Sequence, residues 1–220
     1  AHLSVISWIL PAMEGSRVTN HAEELVPSRL WSHTRYYGEE FNEGLRRHVV
    51  GLLTDLGYMA AAPMLQPYFE VSTNEKGPYS NWSERHMAYA AGHGTFSLSD
   101  GLITEAGIAH RCGNVVTDLP LPPSPRTATG PYSNCLFYLG VNCRACIKRC
   151  PAGAITESGH DKNMCKEYLN SIGYSSESIK AGYDNEASVY GCGLCQTRVP
   201  CEFQNPIHKL KRRERWPGLQ

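Results

Sequence analysis

The chain has 220 residues, with 21 lysines and arginines against 21 aspartates and glutamates, so its formal net charge is zero. A chain of this length can bury a sizeable core and hold one or two domains. The balanced charge excludes a global basic field directed at nucleic acid or an anionic membrane. The sequence has no run of eighteen apolar residues, which excludes an ordinary transmembrane helix.

The N-terminal segment predicts a buried strand followed by loop. Leu3–Leu10 is a short apolar, β-branched run ended by Pro11, and it lacks the basic region and cleavage site of a signal peptide. Residues 14–35 are polar without a clear period, which indicates loop with at most one short helix. Because the chain begins at Ala1 without methionine, we expect that an upstream piece has been removed.

The clearest predicted helix spans Glu39–Tyr58, and Gly57 is its stop signal. Ala60–Tyr68 is expected to be extended. The helix prediction depends on apolar residues that recur at steps of three and four. These residues are Phe41, Leu45, Val49, Leu52, Leu53 and Leu56.

A second helix is predicted at Trp82–Ala91. Ser80 or Asn81 can cap its start, and Glu84 lies three residues after Asn81, as in a capping box. Gly92 suits the position just after the helix, where a left-handed backbone is common.

The remaining signals predict two domains. Val115–Asp118 resembles the end of a strand, and Pro120–Pro131 contains five prolines and reads as a linker. We therefore expect a first domain over residues 1–125 and a second over residues 126–220.

Eight of the nine cysteines lie beyond residue 134 at the spacing of iron–sulfur ligands. The run Cys143-x2-Cys146-x3-Cys150-Pro151 is close to that of bacterial two-cluster ferredoxins, in which the cysteine before proline serves the other cluster. The other downstream cysteines are Cys165, Cys192, Cys195 and Cys201.

The first ligand departs from the ferredoxin run, because Gly140 occupies the position where a cysteine is expected. Cys135 is the nearest upstream substitute, and a seven-residue loop would bring it round. Pairing by the ferredoxin rule then predicts two ligand sets. One is Cys135, Cys143, Cys146 and Cys201, and the other is Cys150, Cys165, Cys192 and Cys195.

Two other uses of these cysteines are open. Zinc is also held by paired C-x2-C motifs, but zinc sites seldom mix ligands from two motifs, and the Cys-Pro step favours iron–sulfur. A disulfide framework would spread its cysteines through the chain, whereas these lie in one segment. Cys112 is outside the pattern and is interpreted as a small buried hydrophobe.

The order of motifs resembles that of epoxyqueuosine reductase and its relatives, the corrinoid reductive dehalogenases. The matching stretches span most of the chain from about residue 30. They are GEEFNEGLRRHV (38–49), ERHMAYAAGHG (84–94), DGLITEAG (100–107), VVTDLPLPP (115–123), NCRACIKRCPAGAI (142–155), MCKEYL (164–169) and YGCGLCQ (190–196).

The resemblance implies an α+β fold, in which a nitroreductase-like, corrinoid-binding domain precedes a ferredoxin-like domain with two 4Fe–4S clusters. Electrons would come from a low-potential ferredoxin or flavodoxin and pass through the clusters to cobalamin, which would act on a small-molecule substrate. Flavin is the rival cofactor. Unprotected clusters favour a reducing compartment, so cytoplasm is the expected location.

The same resemblance implies site residues. A flat cofactor would lie against Gly92–Gly94 and the Ser97–Thr104 loop, because glycine permits close backbone approach. The expected contacts are Gly92, Gly94, Ser97, Ser99, Thr104 and Arg111. The dehalogenases use a tyrosine as proton donor, and the candidates for that role are Tyr36, Tyr37 and Tyr79. Each tyrosine can equally be structural, and Arg111 can equally form a surface ion pair.

Departures from the family restrict the expected activity. Epoxyqueuosine reductases carry a proton-donating aspartate where this chain has Pro78, and no D-x-H-x-x-G stretch is present to ligate cobalt through histidine. The chain also ends soon after the cysteines, so neither the tRNA reaction nor nucleic-acid binding is expected. The basic tail at 209–215 is interpreted as a solvated terminus. Two functional classes are open, a corrinoid-dependent reductase and a non-catalytic protein that relays electrons to a partner.

Overall fold

A computed structural model describes residues 2–173, 175, 179, 189–208 and 210. These residues form a mixed α and β fold with small antiparallel sheets, as the α+β prediction requires. The helices are α1 (Glu14–Thr19), α2 (Arg29–Asp55), α3 (Glu84–Ala90), α4 (Ala145–Lys148) and α5 (Lys162–Ser171). The strands are β1 (Ser4–Pro11), β2 (Ala60–Ala61), β3 (Val71–Asn74), β4 (Gly77–Ser80), β5 (Gly94–Phe96), β6 (Leu102–Thr104), β7 (His110–Thr117), β8 (Ile155–Thr156) and β9 (Gly159–His160).

The largest sheet in the described part of the chain has the order β1-β7-β2, all antiparallel. The predicted N-terminal strand is confirmed, but it pairs along one side of β7 and is only half-buried. The predicted strand end at Val115 belongs to β7, whose side chains are mostly buried. β7 is therefore the central strand on which the N-terminal region is built.

The long helix α2 begins ten residues earlier than the apolar pattern predicted. Ser28 caps it by accepting a hydrogen bond from the Trp31 backbone N–H at 3.1 Å. Its first turns bury Ser32 and His33 beside Trp31, so the buried face there is partly polar and an apolar period does not reveal it. Its later turns bury Leu53 against Val115 of β7, with Val49 packed beside them.

The second predicted helix is confirmed as α3, but its predicted cap is wrong. The helix starts after Ser83, without a side-chain capping bond. The Glu84 carboxylate instead accepts two hydrogen bonds from Arg46, at 2.6 and 2.8 Å. Gly92 has a left-handed φ of 86° and ends the helix as predicted. The segment expected to be extended after residue 60 contains the short strand β2 and a 3-10 turn at Pro63–Leu65.

The proline-rich segment Pro120–Pro131 forms no helix or strand, and most of it is exposed. The regions on its two sides nevertheless share a hydrophobic cluster, because Leu98 and Ile103 pack with Cys135, Ile155 and Val199. The predicted domain boundary thus runs through an irregular segment whose flanking regions are packed together.

Two further features are a possible membrane span and the basic tail. No helix among the described residues is long and apolar enough to cross a membrane. The basic tail at 209–215, apart from Leu210, lies outside the residues that the structure describes.

Candidate metal centre

Four thiols line one pocket beneath the β5–β6 hairpin. They belong to Cys135, Cys143, Cys146 and Cys201, and we call them the first thiol group. Leu136, Phe137 and Val199 complete an apolar wall around them. These four cysteines are the set that the ferredoxin rule predicted for one cluster.

Local backbone geometry explains how Cys135 reaches the pocket without a cysteine at position 140. The Leu139 N–H donates to the Cys135 carbonyl at 3.2 Å, and the Gly140 N–H donates to Phe137 at 3.0 Å. Gly140 has a φ of 76°, which favours glycine. The chain therefore turns back on itself between Cys135 and Cys143.

Thiols of the first group influence the pKa values of their neighbours in the group. Burial raises the pKa of Cys146 to about 11, with further contributions from the Cys135 and Cys143 thiols. Burial also raises the pKa of Cys201 well above its ordinary value, and the thiols of Cys135, Cys146 and Cys143 add to the effect. Deprotonating clustered thiols requires a compensating positive charge, which metal coordination would supply.

The remaining thiols belong to Cys150, Cys165, Cys192 and Cys195, the second thiol group. Burial and the thiols of Cys165 and Cys150 raise the pKa of Cys192 to about 11. Burial, followed by the other three members, raises the pKa of Cys195 strongly. The 3-10 turn Leu194–Gln196 carries Cys195, and α5 carries Cys165 in its first turn.

The loop that carries Cys192 is held tightly against α2. Gly193 has a φ of 63°, and a Cβ at this position would lie 2.2 Å from the Trp31 ring. The Trp31 indole N–H donates to the Gly191 carbonyl at 3.1 Å. Only glycine fits at position 193 of this C-x2-C motif, so the close approach of Trp31 fixes the loop.

The two groups are largely separate. The pKa of each of the four thiols described above is raised by members of its own group. Among these four pKa shifts, the one contribution between groups is that of Cys146 to the pKa of Cys195. The assignment of ligands to clusters stays a prediction.

No three His, Cys, Asp or Glu side chains among the described residues are placed to hold one metal ion. A cubane spreads its four thiolates around four irons, more widely than one ion does, so that finding concerns mononuclear sites.

Cys112 lies on β7, apart from both groups. It is buried in a cluster with Ala88 and Leu102, and burial raises the pKa of its thiol to about 12. This placement agrees with its interpretation as a small buried hydrophobe.

Sequence reasoning missed two side chains that attach the cysteine region to the N-terminal region. Arg149 donates to the carbonyls of Asn20 and Glu23 at 2.9 and 2.7 Å. The buried Glu202 carboxylate is bound by Arg17 at 2.8 Å and by His21 at 2.7 Å. No sequence spacing marks these pairs, because more than a hundred residues separate the partners.

A third missed contact lies beside the second thiol group. His160 Nδ1 lies 3.2 Å from Asp100 Oδ2, and Asp100 has a left-handed φ of 60°. The hydrogen bond to Asp100, followed by one to Cys165, raises the pKa of His160 to about 9. Asp100 therefore places a histidine against a predicted cluster ligand.

The structure places the six predicted corrinoid contacts in four environments. A Cβ on Gly94 would lie 2.1 Å from the Ile103 carbonyl oxygen, and one on Gly92 would lie 3.3 Å from the Pro125 carbonyl. Protein backbone therefore occupies the space that either glycine leaves. The other four are placed as follows: Ser97 and Ser99 line the pocket of the first thiol group, the Thr104 hydroxyl donates to Gly107, and Arg111 pairs with Glu39.

The three candidate tyrosines are not brought together. Tyr36 and Tyr37 are in edge contact with centroids 5.1 Å apart, and Tyr36 also contacts Tyr190 at 5.2 Å. Because Tyr190 lies two residues before Cys192, this pair adjoins the second thiol group. Tyr79 is half-exposed on β4, whereas Tyr36 and Tyr37 lie on α2.

Comparison with known proteins gives a structural likeness only. No protein-family model matches the chain, and no curated protein matches it. Two solved structures of epoxyqueuosine reductase, one selenomethionine-labelled and one with a tRNA-Tyr stem loop, match at a TM-score of 0.50 with 19% identity. Each match covers 91% of this chain and 48% of the other. The enzyme from Bacillus subtilis matches at 0.48 with 18% identity, over the same shares of the two chains.

The predicted resemblance to epoxyqueuosine reductase is thus confirmed at the level of the fold. The chain spans about half the length of the solved chains that it matches. At this identity the likeness concerns architecture, and activity must be argued from the site.

Proposed function

We propose that this chain is an iron–sulfur oxidoreductase that holds two 4Fe–4S clusters and passes electrons through them to a corrinoid. The observation that carries the cluster proposal is the division of eight cysteines into two groups of four, one of which lines a single pocket.

The residues present fit two clusters. Each group offers four thiols, and soft thiolates are the ligands that iron–sulfur clusters use. When bound, the clusters supply one-electron carriers, and a reduced corrinoid supplies a strong nucleophile and reductant. The apolar residues around the first thiol group exclude water from its pocket, while Arg149 and His160 place positive or hydrogen-bonding groups near the second.

The corrinoid part of the proposal rests on the fold likeness and on the family resemblance of the sequence. Ser97, Ser99, Thr104 and Arg111 are the side chains that would meet the cofactor, and Gly92 and Gly94 would border it. Tyr36 and Tyr37 are the proposed proton donors, because they adjoin the second thiol group through Tyr190. The expected electron donor is a low-potential ferredoxin or flavodoxin.

A second candidate function is an electron relay to a partner protein, without chemistry of its own. Its supporting observation is that protein backbone already occupies the space beside Gly92 and Gly94, and Glu39 already binds Arg111. In that arrangement the clusters held by the two thiol groups would still carry electrons, and the acceptor would be external.

Iron analysis of anaerobically purified protein tests the clusters. We expect about eight irons per chain, since each cubane holds four. Cys135→Ser should reduce the count to about four and remove the first cluster only. Cys112→Ser is the matched control, because this cysteine is buried outside both groups, and it should retain about eight. A count near four in the unmodified protein, or unchanged clusters in Cys135→Ser, would contradict the ligand assignment.

Titration with hydroxocobalamin separates the two candidates. The corrinoid reductase should bind the cofactor tightly and give the spectrum of the base-off form, because the sequence lacks the histidine loop that ligates cobalt. Protein with a full iron content that binds neither corrinoid nor flavin would establish the relay function instead.

A further inference from the structure

A cavity of about 390 Å³ lies where the end of β1, the first half of α2 and the start of β7 meet. We call it the Arg35 pocket. Its walls include the apolar side chains of Pro11, Met13, Trp31 and Phe41, with Arg35 and Arg111 as its cations. This volume is near the lower end of the range of roughly 300–1,000 Å³ for small-molecule sites, so a small organic ligand fits it better than a macrocycle.

The charges around the Arg35 pocket do not balance. Glu39 binds both Arg111, at 2.6 Å, and Arg46, at 2.9 Å, and Arg46 also binds Glu84 at 2.6 Å. Among the residues that the structure describes, three guanidinium groups, counting Arg35, therefore meet two carboxylates. Within the described part of the chain, the Arg35 guanidinium forms no hydrogen bond and no ion pair.

The Arg35 guanidinium is only partly compensated by its neighbours. Burial, then the positive charges of Arg111 and Arg85, lower the pKa of Arg35 to about 10, although Glu39 and Tyr190 oppose the shift. A cation removed from water costs free energy unless an opposite charge or hydrogen-bond acceptors replace the lost hydration. Guanidinium groups match carboxylate and phosphate oxygens in shape and charge, so an anion would offset this cost.

The pocket also adjoins the second thiol group. A Cβ on Gly191 would lie 3.4 Å from Arg35 Nε, which places the Arg35 side chain against the backbone one residue before Cys192. An occupant that reached Arg35 would therefore lie beside the loop that carries two predicted cluster ligands.

We propose that the Arg35 pocket binds a small organic anion, a carboxylate or phosphate monoester whose apolar or aromatic body packs against Trp31 and Phe41. Arg35 is the principal recognition residue, and Arg111, oriented by Glu39, lies on the same wall. The proposal does not depend on the clusters or on the corrinoid.

Calorimetric titration of the anaerobically purified protein tests it, with benzoate and phenyl phosphate as probes and benzamide as their neutral counterpart. At least one anion should bind, and benzamide should bind at least about tenfold more weakly. Arg35→Gln should weaken anion binding by about tenfold or more. Arg47→Gln is the matched control, because Arg47 lies on the same helix with a side chain 65% exposed, and it should leave binding unchanged.

A second variant tests the proposal even where the Arg35→Gln protein does not fold. Phe41 is 64% exposed at the pocket, so the Phe41→Glu variant should fold. Its negative charge at the mouth of the pocket should weaken the binding of the anions but not the binding of benzamide. Failure of both anions to bind, equal binding of benzamide, or unchanged affinity in Phe41→Glu or in a folded Arg35→Gln protein would overturn the proposal. The iron count is a separate measurement, so these outcomes leave the cluster proposal untouched.

Discussion

The region before residue 118 and the region after residue 131 are stabilised by different means. The first has an eight-residue central strand and a 27-residue helix. The second has α4 with four residues, α5 with ten and a hairpin of two-residue strands. Short elements bury little apolar surface on their own. The cysteine region therefore depends on contacts with its neighbour and, in our proposal, on its clusters.

The difference is also one of polar interactions. The N-terminal region contains a buried network in which Arg46 binds Glu39 and Glu84, and Asn42 links Trp8 to the backbone of β7. The cysteine region instead concentrates thiols whose pKa values are raised by burial. Protein carboxylates satisfy Arg46 in the first region, whereas in our proposal the second region requires bound metal to balance its thiolates.

Iron removal should give the largest effect. Anaerobic chelation should reduce hydrogen-exchange protection in residues 143–173 and 189–201 by at least about a hundredfold, because the proposed clusters would couple metal binding to folding there. Amides of β1 and β7 should keep most of their protection, since their partners are in the same sheet. Equal loss of protection in both regions would show that the fold is one cooperative unit and that the two regions are not stabilised by different means.

The buried ion network should give the next largest effect. Arg46→Met leaves the Glu84 carboxylate buried without its partner and should lower the free energy of unfolding by about 3–5 kcal/mol in urea titration. Its neighbour Arg47 is an exposed i,i+4 partner of Glu43, and Arg47→Met should change stability by less than about 0.5 kcal/mol. Similar values for the two variants would show that the network is not stabilising the N-terminal region.

Replacement of the fully buried Asn42 should give the third largest effect on stability. It accepts from the Trp8 indole N–H at 2.9 Å and donates to the Cys112 carbonyl at 2.9 Å. Asn42→Leu keeps the volume but leaves both partners unsatisfied, so we expect a loss of about 2–3 kcal/mol. If chemical denaturation shows no loss, water must satisfy the two orphaned groups.

The smallest expected effect is a pH dependence from His110. Its side chain is buried and bonds the Leu102 carbonyl at 2.8 Å, and burial lowers its pKa below the ordinary value of 6.5. The unfolded chain therefore binds the proton more readily than the folded one, so the stabilisation is fully present above about pH 6.5 and declines as the pH falls below it. His110→Gln should flatten this decline in unfolding measurements between pH 5 and 8. Parallel profiles for the two proteins would exclude His110 as the cause.

Local patterns in the sequence were sufficient for several elements. The β-branched run before Pro11 predicted β1, and the apolar period over residues 41–56 predicted most of α2. The x2 and x3 spacings, with proline after Cys150, predicted the grouping of thiols, because ligands that converge on one cluster are set largely by short loops. These features depend on neighbours in sequence, which is why the chain alone reveals them.

Other features were decided only by tertiary contacts. The first turns of α2 and the true role of Glu84 depend on buried polar partners that no periodicity marks. Tertiary structure likewise brings Arg149 to the carbonyls of Asn20 and Glu23, and leaves Arg35 with an excess of positive charge beside Gly191. The cysteine spacing thus predicts which thiols would share a metal centre. The charges and cavity around that centre were decided by residues far apart in sequence, because only packing brings such groups within range of one another.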